Sequence, residues 1–363
     1  MQKFLLPPRR KLIRKRVKLF TDTISESYYR ILVTQEEGNL TYKQSFSAGS
    51  LGLRKICTGI LLVVFAAATF ADSKSFTQST VDAFANSNIV FQRGESIIPF
   101  LPLANITAKT YGSADVTVDG ADDLQFEIEH FSQAAGLPFL LDDNNVLIVG
   151  EYLARTNFST GANDFESFHT DSIGLPIAWL QQVNQQWHAA AFIMPLGHKS
   201  SHKNSSWQWE TLGGAFLRYE QSDKLWWAYG VYADIGGIED IYLPYAGVSW
   251  TINENWSLSA IMPWPALLYA PSNDLLFRLG ASPSSASWQV ENEASDISAN
   301  FDAWDFGFTV EKHVGNNFWL GLETGIGGLR GLRIVDGDFE GIESDVSASA
   351  YFGLSLNFRP SMD

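Results

Sequence analysis

Histidine is the side chain most often used for acid–base and metal chemistry at neutral pH, and two of the six histidines lie close together. His198 and His202 are four residues apart, which is the spacing of a metal-binding pair on a helix. The segment around them is polar and lacks the glutamate that completes such a helix in metallopeptidases, so we interpret it as a hydrated loop. The other four histidines are scattered singly along the chain. We therefore expect no zinc site and no bound cofactor.

Nucleophilic catalysis would need a serine activated by a neighbouring histidine. The sequence contains no Gly-x-Ser-x-Gly motif, and the Ser-x-x-Lys spacing of Ser200 and Lys203 falls in the same polar loop. His188 is better placed, on a predicted strand, but no serine lies two residues away from it. These patterns favour a protein that is not an enzyme, with a hydrolase that depends on His188 as the alternative.

Carboxylates are concentrated near the C-terminus, where Asp336, Asp338 and Glu340 are followed by Glu343 and Asp345. Oxygen ligands of this kind can hold Ca²⁺. A hydrated acidic loop without a bound ion is the simpler interpretation. The first three are therefore candidate calcium ligands, and divalent cations are candidate partners of this loop.

The elements that carry these residues show a period of two, which is typical of β-strands. In the last predicted strand, Val346, Phe352 and Phe358 belong to an apolar face, and Ser347 and Asn357 belong to a small, polar face. One side stays apolar for 13 residues. A tilted strand of about 9 to 11 residues is sufficient to cross a bilayer core, whereas strands of globular proteins are nearer 5 or 6 residues.

Similar alternation, separated by short polar turns, predicts thirteen strands between residues 106 and 358. A single-chain bacterial barrel has an even number of strands, so one segment must be wrong, and we doubt 106 to 118. The sequence thus predicts an all-β protein with a single antiparallel transmembrane β-barrel of about 12 strands (range 10–14). Seven tryptophans near the strand ends suit the headgroup level of a membrane: Trp207, Trp209, Trp226, Trp227, Trp256, Trp264 and Trp319.

If the apolar faces point towards lipid, nine charged side chains point into the lumen: Glu151, Arg155, Arg218, Glu220, Asp234, Arg278, Asp305, Glu311 and Glu323. A barrel of intermediate size can hold a narrow channel or be filled by its side chains. The charges would line a mildly cation-preferring pore in the first case. In the second case they would pair as salt bridges across a closed lumen.

The N-terminal part of the chain predicts export. Arg54 and Lys55 precede an apolar run that ends at Ala71, which is typical of a cleaved signal peptide over 51–71. We interpret residues 1–50, which are strongly basic, as sequence upstream of a misassigned start; a basic arm and an over-long signal n-region are the alternatives. Residues 72–104 then form a periplasmic N-terminal segment, 105–358 the barrel and 359–363 a short tail.

The charge of the mature chain excludes one class of function. Residues 1–71 hold 12 Lys and Arg against 4 Asp and Glu, a net charge of +8. Because the whole chain carries −15, the remainder carries −15 − 8 = −23. A body this acidic repels nucleic acid. The only cysteine, Cys57, lies in the predicted signal peptide, so the mature chain has no disulfide.

One stretch resembles a known family. The strand from Leu243 to Trp250 has the pattern Pro-x-x-Gly-x-x-Trp, and it is followed by a turn at 253–255 and a strand that ends in Pro263-x-Pro265. This arrangement resembles a family of uncharacterised bacterial outer-membrane β-barrels, domain of unknown function 6268, over roughly residues 100–358. The resemblance implies a barrel in the outer membrane and no particular activity.

These observations predict an outer-membrane barrel of Gram-negative type that is either a structural barrel or a narrow, porin-like passive channel for small solutes. Its expected partners are outer-membrane lipid and lipopolysaccharide, the barrel-assembly machinery during biogenesis, and divalent cations, but no nucleic acid. An outer-membrane lipid-modifying enzyme and a soluble secreted β-sandwich that binds a ligand are the alternatives.

Overall fold

A computed structural model of the protein describes residues 76 to 359, except for 86, 88, 90–95, 100, 118–123, 161–166, 238–239, 263, 292–295, 329–330 and 337–338. In several strands near the connecting loops, including 285–291, 296–299, 331–336 and 339–345, the backbone is described without the side chains. The predicted leader (1–50) and signal peptide (51–71) lie outside the described residues.

The described chain forms one short helix followed by strands. Helix α1 spans Phe76–Ala85. The strands are β1 Ala104–Thr117, β2 Leu124–Asp142, β3 Asn145–Thr160, β4 Phe168–Gly174, β5 Ile177–Gln182, β6 Trp187–Ser200, β7 Gln208–Ser222, β8 Leu225–Ile235, β9 Ile241–Thr251, β10 Trp256–Ala260, β11 Ala266–Ser272, β12 Leu275–Glu291, β13 Asp296–Gly315, β14 Phe318–Gly327, β15 Gly331–Asp336, β16 Phe339–Val346 and β17 Ser349–Phe358.

These strands form one antiparallel sheet that closes on itself, because β1 pairs with β2 on one side and with β17 on the other. Three barrel strands are each divided into two segments that pair with the same neighbour. β4 and β5 both pair with β3, β14 and β15 with β13, and β16 and β17 with β1. Over the residues described, the result is a closed barrel of fourteen strands. Closure pairs the backbone groups that an open sheet leaves at its edges.

The two ends of the barrel differ. At the turn end, consecutive strands are joined by two to four residues, at 143–144, 183–186, 223–224, 252–255, 273–274 and 316–317. The opposite end carries most of the longer connections, such as 201–207, and is called the loop end. The chain enters β1 and leaves β17 at the turn end, where Ala104 is paired with Phe358.

The predicted all-β barrel is confirmed, but it has fourteen strands instead of twelve, the upper limit of the predicted range. Of the doubted segment 106 to 118, residues 106–117 belong to β1 and residue 118 lies outside the described residues. The strand that the sequence reasoning missed is β11, Ala266–Ser272. Both faces of β11 are apolar: Ala266, Leu268 and Ala270 are buried, whereas Leu267 and Tyr269 alternate with them. A strand without alternation gives no period-two signal.

The outer surface of the barrel is apolar. Large hydrophobic side chains that point outwards are about half exposed, among them Leu217 at 47%, Leu279 at 58% and Phe352 at 52%. The inner face of the barrel carries buried polar groups such as Asp305, Ser257 and Asn357. A sheet that is apolar outside and polar inside suits a lipid environment. Among the described residues, no helix is long and apolar enough to cross a bilayer.

Aromatic side chains mark two levels of this outer surface. At the turn end Trp187 packs against Tyr219, with ring centroids 4.8 Å apart, and at the loop end Trp207 stacks on Trp209 at 6.0 Å. Trp209 and Tyr219 lie on the same face of β7. The strand between them, tilted by about 40°, rises roughly 25 Å, which is the height of the apolar band of an outer-membrane barrel.

Candidate functional site in the barrel lumen

The strand register places seven of the nine predicted lumen charges on the inner face: Arg218, Glu220, Asp234, Arg278, Asp305, Glu311 and Glu323. Glu151 and Arg155 lie on the outer face instead, and this corrects the prediction for both. They have the same parity in β3 as Leu153, which is 41% exposed, and Arg155 is bonded to Asp171 with half of its side chain exposed.

The error in β3 has a physical cause. Both of its faces are apolar near the turn end: Leu147 and Val149 point outwards, and Val146 and Ile148 point inwards. Val146 is completely buried because the N-terminal segment packs against it from within the lumen. The rule that the apolar face points to lipid fails where another part of the chain fills the lumen.

A network of charged and phenolic groups occupies the inner wall formed by β1, β13, β14 and β17. Lys109 Nζ donates to Asp305 Oδ2 at 2.9 Å and to Glu323 Oε1 at 3.4 Å. The hydroxyl of Tyr111 donates to Asp305 at 2.7 Å, and that of Tyr351 to Glu323 at 2.5 Å. One ammonium group and two phenols thus neutralise and solvate two carboxylates in place of water.

The position of Tyr351 on β17 depends on a glycine on β13, two strands away in the sheet. A Cβ atom on Gly307 would lie 2.1 Å from the Tyr351 hydroxyl and 2.7 Å from Glu323 Oε1. Any other residue at 307 would displace both groups, so Gly307 leaves the room in which the phenol and the carboxylate meet.

A second ion pair lies at the turn end of the lumen. The Arg359 guanidinium donates to both Glu311 oxygens, at 2.9 and 2.8 Å, and only 8% and 7% of the two side chains are exposed. Asn357 donates to the same carboxylate at 3.0 Å. Arg359 was predicted to belong to a short tail after the barrel, but its side chain is held inside the barrel mouth.

Described parts of the N-terminal segment contact the inner wall at this mouth. Phe84 of α1 and Ile89 pack on the inward-facing Val146. Further along the chain, Ile98 packs against Leu268 and Trp319, on the inner face of β11 and β14. These two sets of strands lie on different sides of the barrel. The described residues of this segment therefore contact the inner wall on two sides of the lumen at the turn end.

The loop end is narrowed by the barrel wall itself. Cα atoms of β12 come within 8 Å of Cα atoms in β4, β6 and β7, although a round barrel of fourteen strands is roughly 25–30 Å across. Phe158 of β3 meets Phe301 of β13 edge to face, with centroids 6.1 Å apart. Beside them is a cavity of about 20 Å³ lined by Tyr111, His130 and Ser284, which is room for about one water molecule.

The two histidines predicted to lie in a hydrated loop are placed differently: His198 is inside the barrel, whereas His202 lies in the connection 201–207 and is half-buried. His198 is the antepenultimate residue of β6 and is 4% exposed. Its ring bonds to Ser172 and Glu210. His202 bonds to Ser200, and its ring packs at a tilt against Phe168 with centroids 4.4 Å apart. Burial lowers the pKa of His202 below its usual value. His188 also points inwards and is 2% exposed, so it does not face lipid.

The candidate calcium loop is described only in part. Asp338 lies outside the described residues, and Asp336 and Glu340 are placed by their backbones at the ends of β15 and β16. In the part of the chain whose side chains are described, no three metal-ligating side chains come together. The calcium assignment therefore stays a prediction.

No protein-family model matches the chain, and no curated protein matches it, so the resemblance to the family of unknown function remains a prediction. Several solved barrels are similar in structure. The translocator domain of the autotransporter NalP from Neisseria meningitidis is 10% identical, with a TM-score of 0.33, and the match covers 81% of this chain and 97% of that one.

Two channels show a similar degree of likeness. An outer-membrane channel from Pseudomonas putida F1 is 10% identical at a TM-score of 0.38, over 72% of this chain and 97% of that one. The toluene transporter TodX of P. putida is 10% identical at a TM-score of 0.31, and the match covers 71% of this chain and 90% of that one. Similarities this low carry nothing about the activity of this chain.

Proposed function

We propose that the protein is an exported outer-membrane barrel whose lumen is closed to free diffusion, and that it has a structural role and does not act as an open channel. The observation that carries this proposal is the approach of β12 to within 8 Å of β4, β6 and β7 across the lumen, with Phe158 against Phe301. A channel for hydrated solutes needs a continuous aqueous path, and apolar contacts across the lumen interrupt it.

The apolar exterior and its two aromatic bands support the membrane location. The predicted signal peptide over 51–71 would deliver the chain to the periplasm, where the barrel-assembly machinery would insert it. Outer-membrane lipid and lipopolysaccharide are then its neighbours, and the acidic connection at 336–340 is the candidate contact for divalent cations that bridge lipopolysaccharide phosphates.

A bilayer conductance measurement tests the proposal. Residues 72–363, refolded into detergent and added to a planar bilayer, are expected to produce no stepwise conductance. A second chain that begins at residue 101 lacks α1 and Ile98. It is also expected to be silent, because the loop-end contacts remain in it.

The outcomes separate the alternatives. Conductance steps from the longer chain would contradict closure and favour the narrow passive channel, which the seven charged side chains of the inner face could line. Steps from the shorter chain alone would mean that the N-terminal segment is the barrier and that the loop end is open.

A further inference from the structure

Three side chains at the loop end of the lumen form a connected relay. Ser172 Oγ lies 2.8 Å from His198 Nδ1, and His198 Nε2 lies 3.1 Å from Glu210 Oε1. Only 5% of the His198 side chain and 11% of the Glu210 side chain are exposed, whereas Ser172 is half-buried. A serine, a histidine and a carboxylate in this order are the parts of an activated nucleophile.

The sheet holds the three groups in place. Ser172 on β4 is directly opposite His198 on β6. Glu210 on β7 is opposite Leu196, which precedes His198 by two residues on the same inner face. Side chains fixed on three adjacent strands are more rigidly positioned than side chains on loops. The sequence separates these residues by 26 and 12 positions, so no short motif could reveal them.

The hydrogen bonds determine which nitrogen can act as a base. Glu210 accepts a hydrogen bond, so the proton of a neutral His198 ring lies on Nε2. The lone pair of Nδ1 then faces the Ser172 hydroxyl. The carboxylate orients the ring and stabilises the imidazolium that forms when Nδ1 takes a proton.

A buried hydroxyl lies next to the serine. Thr170 precedes Ser172 by two residues on the same face of β4 and is 1% exposed. Its Oγ1 has no hydrogen-bond partner among the residues described. A buried polar atom without a partner is costly in a structural role. Beside a nucleophile it can donate to the oxyanion that forms during acyl transfer.

We propose that Ser172, His198 and Glu210 form a site that hydrolyses short carboxyl esters entering the loop end of the lumen. Ser172 Oγ attacks the ester carbonyl carbon while its proton passes to His198 Nδ1. The C–O bond to the alcohol breaks, and His198 returns the proton to the departing oxygen. Water then attacks the acyl-serine with its proton taken by His198; the acid leaves, and the proton returns to Ser172 Oγ.

The same narrowing that closes the lumen limits the substrate. β12 lies within 8 Å of β4, β6 and β7, the three strands that carry the relay. Because the opposite wall comes this close to those strands, we expect the site to admit a short acyl group and to exclude a two-chain lipid. The proposal does not depend on whether the lumen conducts, because entry from the loop end is sufficient.

Two probes test the site on refolded residues 72–363. An alkyl fluorophosphonate, from which Ser172 Oγ would displace fluoride, is expected to label the peptide that contains Ser172. Hydrolysis of 4-nitrophenyl butyrate is expected to lose roughly 10³-fold in kcat/KM in Ser172→Ala and His198→Ala. In Glu210→Gln, which retains the relay but removes the charge, the rising limb of the pH–rate profile should move to lower pH.

Ser200→Ala is the matched control. Ser200 bonds to the His202 ring as Ser172 does to His198, but no described carboxylate bonds to the His202 ring. Ser200→Ala should keep both labelling and hydrolysis. Heat-modifiable gel migration shows that each variant is folded. Absence of labelling in the folded wild-type protein, or labelling that survives Ser172→Ala, would overturn the proposal.

Discussion

Replacing Lys109 by alanine is expected to lower the free energy of unfolding by about 3–5 kcal/mol, the usual cost of removing one member of a buried ion pair. The ammonium group forms ion pairs with Asp305 and Glu323, whose side chains are 1% and 18% exposed. Without it, two carboxylates remain close together inside the barrel, and among the described side chains the phenols of Tyr111 and Tyr351 are left to bond to them. Urea titration of the barrel in lipid vesicles, followed by tryptophan fluorescence, measures the change.

Lys312→Ala is the control for loss of a lysine. Lys312 bonds to Asp274 at the turn end, and about half of each side chain is exposed. The bond from Lys312 holds the pKa of Asp274 below its usual value, but water can replace it. We expect no measurable change in stability. Equal losses in the two lysine variants would show that the lumen network does not stabilise the barrel.

Arg359→Ala is expected to destabilise the barrel by a similar amount, about 3–5 kcal/mol, because Glu311 is left charged and buried at the turn end. Among the described residues, Asn357 would remain as the donor to it. The double variant Arg359→Met/Glu311→Leu removes both charges and should recover most of the loss. The same vesicle titration measures it.

Arg155→Ala provides the matched arginine control. The Arg155 guanidinium bonds to Asp171 at 2.6 Å, but 52% and 41% of the two side chains are exposed. Exposed pairs contribute about 0–1 kcal/mol, so this variant should resemble the wild-type protein. A loss as large as that in Arg359→Ala would contradict the view that burial makes the terminal pair important.

Prediction from the sequence succeeded where the two faces of a strand meet different solvents. β17 alternates between Phe352 or Leu354 on one face and Tyr351 or Gly353 on the other, and this pattern predicts a barrel strand. It failed in β3 and β11, where both faces are apolar because Ile89 and Ile98 pack against them from inside. Alternation reports the contrast between two environments, and that contrast is lost where the lumen is filled.

The candidate sites depended still more on structure. Asp305 and Glu323 were predicted from alternation, but Lys109, Tyr111 and Tyr351 were not, because their strands had to be brought together first. The relay of Ser172, His198 and Glu210 is assembled by the register of three strands. The spacing of His198 and His202, which is visible in the sequence, is that of a metal-binding pair and does not point to a serine nucleophile.

The sequence by itself therefore determined the fold class and the direction of most side chains, because alternation is a local property of a strand between lipid and lumen. The tertiary structure decided the strand number, the closure of the lumen and the composition of every cluster within it. These depend on which strands are neighbours and on where opposite walls meet, and residues 12 to 214 positions apart are joined in this way.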